Sequence, residues 1–202
     1  MKIFDCTTFY SEDLMLDVRF NILNPYVHKF IIVESIYSHS GRKKKLNFDI
    51  NKFSKFKDKI VYLVIKEEPS DIIRSENLSS SEKRMNSIKR IEQSYNYMMK
   101  GIKDAEDNDL ICLSDNDEIP NFETKHFQNS TSDIFIFEQL FFYYKFNLFY
   151  DLMPWYGTKA CKKKKLISLS WLRNLKNKQY PIWRLDTLFS KTKHTNLQIV
   201  EN

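Results

Sequence analysis

The chain has 202 residues, 42% of them hydrophobic and 15% aromatic, and a formal net charge of +6. That much apolar material supports one core of ordinary single-domain size, so a single domain over residues 1–202 is expected. Three Gly and five Pro exclude a collagen-like chain, and three scattered cysteines without CxxC spacing, Cys6, Cys112 and Cys161, indicate neither a disulfide framework nor a zinc site.

The opening "MKIFDCTTFY" has no apolar run long enough for a signal peptide, and nowhere do about eighteen uninterrupted apolar residues occur to span a bilayer. The longest candidate, "FFYYKFNLFY", is broken by Lys145 and Asn147. The expectation is a soluble cytoplasmic protein, with contact at a membrane surface as the remaining membrane role. Two basic runs, "GRKKKL" (Gly41 to Leu46) and "CKKKKL" (Cys161 to Leu166), are either solvated loops or attractors of phosphate or nucleic acid.

In chain order, "MKIFDC" reads as a strand and "SEDLMLDVRFNILNP" as a helix. Ser11 is placed to cap that helix, Glu12 and Asp13 suit the positive end of its dipole, and Leu14, Val18 and Ile22 form a stripe that Pro25 ends. "KFIIVES" is a second strand and "DKIVYLVI" (Asp58 to Ile65) a third. The polar stretch "KEEPSDIIRSENLSSSEKR" is a mobile surface loop. A helix from about Ser81 to Lys103 then carries Met85, Ile88, Ile91, Tyr95, Met98 and Ile102 on one core-facing stripe.

"DLICLS" has the unbroken apolar character of a fourth strand covered on both faces, "DIFIFEQL" (Asp133 to Leu140) is a fifth, and "LQIV" is a short last one. Strands alternating with helices predict an α/β sandwich with a mostly parallel central sheet.

Directly after the fourth strand comes "SDNDEIP", which places Asp115, Asp117 and Glu118 at a strand's carboxyl end, where ligands gather in open α/β sheets. Three crowded carboxylates repel one another unless a positive charge sits among them. Hard oxygen donors select magnesium, manganese or calcium, and a site with one or two carboxylates leaves room for water and substrate phosphates. A charged turn or a helix cap supplied by Asp115 or Asp117 competes with this reading. An EF-hand loop does not, because the required Gly and Glu spacing is missing.

Four stretches together resemble glycosyltransferase family 17, which includes the enzyme that adds the bisecting N-acetylglucosamine to N-glycans. "KIFDCTTFYSEDLMLDVRFNIL" is similar to its first strand and helix, and "VHKFIIVESIYSHSGRKKKLNF" to its second strand and Gly-Lys loop, with Gly41 and Lys44 in the matching places. "LICLSDNDEIP" is similar to its metal-binding segment, and "WYGTK" (Trp155 to Lys159) to a Trp-x-Gly-Thr element. The chain departs from the family at "SYN" (Ser94 to Asn96), which keeps only the Asn of a Gln-Arg-Asn triplet, and at "LQIVEN", where the family continues. Either a fragment or a C-terminally shortened relative is therefore expected.

The resemblance implies a GT-A-type Rossmann-like sandwich, a UDP-sugar donor with UDP-N-acetylglucosamine first, Mn2+ or Mg2+ as cofactor, inversion at the anomeric centre, and a glycan or glycolipid acceptor. On that reading Asp117 binds the metal directly, Asp115 reaches the ribose or a metal-bound water, and Glu118 belongs to the same metal set, orienting it. Asp5, Cys6 and Glu34 are placed to meet the uridine, Lys44 the diphosphate and Asn96 the base. The bland alternatives are backbone caps for Asp5 and Glu34, a packed thiol for Cys6, and solvated side chains for Lys44 and Asn96.

An inverting transfer needs a general base, for which Glu138 and Asp151 are the downstream carboxylates, neither assignable from sequence. His126 and His194 read as surface histidines. Tyr143, Tyr144 and Trp155 are either core rings or stacking surfaces for a sugar. Trp155, in a loop, is the strongest candidate for the acceptor side, beside Gly157, which would let substrate approach the backbone. The rival classes are a nucleic-acid-binding or nuclease-type metal enzyme, and an inactive glycosyltransferase relative acting as a binding scaffold.

Overall fold

Runs of branched and aromatic residues make the strands of the computed structural model, which describes residues 1–145, 147–176 and 197–201. β1 (Ile3–Thr8), β2 (Lys29–Ser35), β3 (Ile60–Ile65) and β4 (Leu110–Leu113) are mutually parallel, with β1 in register between β2 and β4. β5 (Ile134–Gln139), β6 (Trp155–Lys162) and β7 (Leu197–Val200) extend the sheet to the order β3-β2-β1-β4-β6-β5-β7. β6 runs against both of its neighbours, and β5 pairs in parallel with β7. The result is the mostly parallel α/β sandwich expected.

Successive strand residues point to opposite faces, and two cores follow. On one side Phe30, Ile32, Cys112 and Phe135 pack beneath α1 (Asp13–Leu23), a 3-10 segment over Ile50–Lys59 and the short α3 (Lys125–Gln128). On the other, Phe4, Cys6, Ile31 and Ile111 meet α2 (Ser80–Tyr97), its 3-10 extension Met98–Gly101 and α4 (Leu169–Arg173). All three cysteines are buried free thiols.

Several sequence expectations change. In α1 the stripe Leu14, Val18 and Ile22 faces outward, at 78%, 37% and 50% exposure, and the buried row is Leu16, Arg19, Phe20 and Leu23. An arginine on the inward face breaks the apolar pattern, because its counter-charge lies in the sheet below. Ser11 does not cap α1. The carboxylate of Glu12 instead accepts hydrogen bonds from the backbone N–H groups of Tyr10 and Ser11.

α2 opens on a capping box formed by Ser79 and Glu82. Only the later part of its predicted stripe is core: Tyr95, Met98 and Ile102 are buried, while Met85 and Ile88 are 46% and 37% exposed. The first half of the helix packs on the preceding loop instead, where the Asn86 amide clasps both backbone groups of Ile73 and Arg90 pairs with Glu68.

The segment from Trp155 is a full strand, not a loop. The aromatic run before it is not core either: Phe142 bridges Phe149, and Tyr143 and Tyr144 are 47% and 95% exposed. His194 lies outside the described residues.

Candidate functional site

The sheet splits at β1, since the connection from β1 leads outward to β2 and that from β3 returns to β4 on the other side. Crevices form at such a switch point, beyond the carboxyl ends of the strands. The loop Ser114–Glu118 leaves β4 there, and the antiparallel β6 begins there, so Trp155 and Gly157 meet the acidic loop.

The loop is fixed from beneath by Arg19. This guanidinium is fully buried, donates Nε and Nη2 to the two carboxylate oxygens of Asp5 at 2.8 and 2.6 Å, and donates Nη1 to the carbonyls of Asp115 at 3.2 Å and Glu118 at 2.9 Å. Ser114 Oγ accepts a further bond from Nη2. The Thr158 hydroxyl also donates to the Glu118 carbonyl, at 2.9 Å. With its carbonyls tied down, the loop turns its acidic side chains upward.

Those side chains already hold a cation. Arg173, the last residue of α4, donates Nη1 to Glu118 Oε2 at 2.6 Å, and donates Nη2 to Glu118 Oε1 at 3.1 Å and to Asp115 Oδ2 at 2.7 Å. Glu118 accepts in addition from the Asp115 backbone N–H at 2.9 Å and the Trp155 indole at 3.0 Å. Burial pushes the Glu118 carboxyl up, but the bonds and charge of Arg173 outweigh it and leave the group below the ordinary range. Asp115 goes the other way: burial raises it, the Arg173 charge opposes, and Glu118 and Asp117 add repulsion. Its Oδ1 also accepts from the Tyr95 hydroxyl at 3.3 Å.

Asp117 is exposed and forms no hydrogen bond or ion pair among the described residues. A divalent ion expected at Asp115, Asp117 and Glu118 does not fit this arrangement as a three-carboxylate set. Glu118 is 5% exposed and saturated, Asp115 is committed on both oxygens, and no group of three metal-ligating side chains forms among the described residues.

Two cavities meet at this cluster. The first, of about 760 Å³, lies over the ends of β1 and β2 against α2, and is lined by Tyr10, Tyr37, Lys44, Arg90, Asp115 and Asp117, among others. The second, of about 1020 Å³, runs between the outer face of α1 and the aromatic segment, bounded by Val18, Ile22, Phe141, Phe142, Tyr144 and Trp155. Asp115 and Asp117 line both. Asn116, 7% exposed, contributes to the first wall, and its Oδ1 has no hydrogen-bond partner among the described residues.

The remaining predicted residues divide clearly. Asp5, Cys6 and Glu34 are fully buried and line neither cavity. Asp5 is consumed by Arg19, Cys6 is packed in the sheet, and Glu34 accepts from the backbone N–H groups of Asn47 and Phe48, the Tyr62 hydroxyl and the Lys44 ammonium. Lys44 reaches the first cavity and also lies 4.9 Å from the Tyr10 ring centre. Gly41 earns its place twice, by a φ of +87° and because a side chain there would collide with Arg90.

Asn96 points away, accepting from the Ser170 backbone N–H at 3.0 Å and so tying α4 to α2. Glu138 and Asp151 line neither cavity, and His126 is exposed. Trp155 stands at the junction as expected, with its ring stacked on Phe141 at 5.3 Å. Gly157 is buried, and the space a side chain would fill is taken by the protein's own Gln139, Glu118 and Trp155, not held open for substrate.

Arg173, Arg90 and Arg19 were the residues missed. A lone arginine carries no spacing signal, and only the fold brings these three to the loop and the cavity.

The basic runs separate to opposite ends of the sheet: the Gly41 to Leu46 loop follows β2 at the site end, while Lys162 to Lys165 follow β6 beside the start of β4. They form no continuous basic groove. No helix among the described residues is long and apolar enough to cross a membrane.

No curated protein matches the chain. The profile of glycosyltransferase family 17 matches residues 1–169, a span holding both cavities and the whole acidic loop. With the switch-point crevice and the acidic loop in that span, the chain belongs to glycosyltransferase family 17.

Proposed function

We propose that the protein transfers a sugar from a nucleoside diphosphate donor, UDP-N-acetylglucosamine being the first to test, to a glycan or glycolipid acceptor with inversion at the anomeric carbon. The observation that carries this reading is the pair of cavities meeting at one acidic loop, on a chain of a glycosyltransferase family. A two-substrate transfer needs two adjoining compartments with a reactive group between them.

The first cavity has the chemistry for the nucleotide. The rings of Tyr10 and Tyr37 offer faces to a base, and Lys44 and Arg90 supply positive charge for a diphosphate. Its volume falls in the range of ordinary ligand sites. The second cavity, walled by exposed rings, suits the apolar faces of an acceptor sugar.

Asp117 lies on the border of both and is free of protein partners among the described residues, which suits it to take the proton of the attacking hydroxyl. Glu138 and Asp151 lack that placement. As bond cleavage proceeds, charge grows on the departing diphosphate, and fixed cations facing it lower the barrier.

Calorimetric titration with UDP and with UDP-N-acetylglucosamine, in chelator and in Mn2+, tests the proposal, together with mass-spectrometric detection of sugar transfer or release. Saturable UDP binding lost in Lys44→Ala is expected. Binding of oligonucleotide but of no nucleotide sugar would overturn it.

A further inference from the structure

The position of Arg173 has a consequence for metal use. Its planar fork takes both oxygens of Glu118 and one of Asp115, and Nη1 donates additionally to the Gly157 carbonyl at 3.1 Å. This is the geometry in which a guanidinium holds carboxylates most firmly.

Nor is Arg173 a loose surface side chain. Leu169 and Leu172 of α4 are completely buried, Ser168 caps the helix by accepting from the Trp171 N–H at 3.1 Å, and Asn96 binds the Ser170 N–H. The Lys159 ammonium donates to the carbonyl of Leu175 at 2.6 Å and to that of Arg173 itself. The helix end is thus bolted to β6, and the Arg173 side chain is only 21% exposed.

A divalent ion held by Asp115 and Glu118 requires the same oxygens, and one held by the free Asp117 would sit in a loop whose neighbouring carboxylates already carry a fixed positive charge that repels it. We infer that Arg173, four residues beyond the family-matched span, is the resident cation of the acidic loop and stands there in place of a divalent ion, so that nucleotide binding proceeds without metal. The nucleotide half of this inference rests on the function proposed above; the cation half does not.

The test is a Mn2+ titration of the whole chain without nucleotide, following free Mn2+ by electron paramagnetic resonance. Wild type is expected to show no saturable binding. Arg173→Met is expected to bind Mn2+ at least about tenfold more tightly, and the added Asp117→Asn to abolish that gain. Arg173→Lys, which keeps a charge but loses the fork, should fall between, and it replaces the methionine variant if that one does not fold.

Saturable Mn2+ binding by wild type that Asp115→Asn removes would overturn the inference, as would a folded Arg173 variant that gains none. UDP titration in chelator then separates the two proposals. UDP binding that appears only with Mn2+ overturns metal independence. Absence of UDP binding in every condition overturns the proposed donor, while the Mn2+ titration still decides the role of Arg173.

Discussion

Arg19 and Asp5 form a two-pronged ion pair in which neither side chain is exposed to solvent, and the same guanidinium carries the carbonyls of the acidic loop. The pair therefore links the first strand, the first helix and the site in a single network. Removing one partner strands the other's charge in the core, which costs about 3–5 kcal/mol, whereas replacing both with apolar residues of similar size is far milder. Asp5→Ala should lose about that much stability in urea unfolding, and the Asp5→Leu/Arg19→Met double variant, which removes the stranded charge but also the donor to the Asp115 and Glu118 carbonyls, should recover only part of it. A double variant no more stable than the single would contradict the network.

Much of the fold was legible because local and global signals agree. The apolar runs of β1 to β5 and β7 appear where their sequences place them, and the acidic loop falls at a strand's carboxyl end as its position after "LICL" predicts. The reading failed where a polar residue is buried against a distant partner. Arg19 on the inner face of α1 made Leu14, Val18 and Ile22 look like the core stripe, when those residues are exposed and two of them wall the second cavity. Strand β6 was hidden by its lysines and its opening Trp-Tyr-Gly. The cation that answers the crowding of Asp115, Asp117 and Glu118 sits 55 residues from Glu118 in sequence, a separation that no local pattern encodes.

Gly157 tests how tightly the site is packed. An added methyl group would lie 2.8 Å from both the Glu118 carboxyl carbon and the Trp155 indole nitrogen, and closer still to the Gln139 side-chain oxygen. None of these is a free side-chain end, since Glu118 is bonded to Trp155 and Arg173, and Gln139 accepts from the Thr158 N–H at 3.0 Å. Overpacking of this kind costs about 1–3 kcal/mol. Gly157→Ala should be destabilised by that amount and should alter Trp fluorescence as the indole leaves Glu118, an outcome that an unchanged spectrum and stability would refute.

Lys159 gives the site a distinct alkaline signature. Burial, helped by the nearby Arg173 charge and opposed by Glu118, brings its ammonium down to about 8 from an ordinary 10.5. A base depressed in the folded state binds fewer protons than in the unfolded chain between those two values, so its contribution to stability rises as pH rises through that window. Tyr95 and Cys161, both pushed up to about 12 by burial first, act in the opposite sense, but neither owes its shift to Lys159. The stability of wild type minus that of Lys159→Met, measured by urea unfolding, should therefore increase from about pH 8 to pH 10.5. A flat difference would show that Lys159 titrates normally.

The aromatic wall allows donor and acceptor binding to be separated. Phe141 stacks on Trp155 at 5.3 Å with an interplanar angle of 14°, lines the second cavity, and makes no contribution to the first. Ring contacts of this type are worth about 0.5–1.5 kcal/mol, a factor of about two to ten in binding. If an acceptor sugar lies on this wall, Phe141→Ala should raise the acceptor KM by about that factor and leave UDP affinity unchanged. Steady-state kinetics with varied acceptor, beside UDP calorimetry, reads the two effects independently. A fall in UDP affinity with the acceptor KM unmoved would place the donor in the second cavity and reverse the assignment of the two compartments.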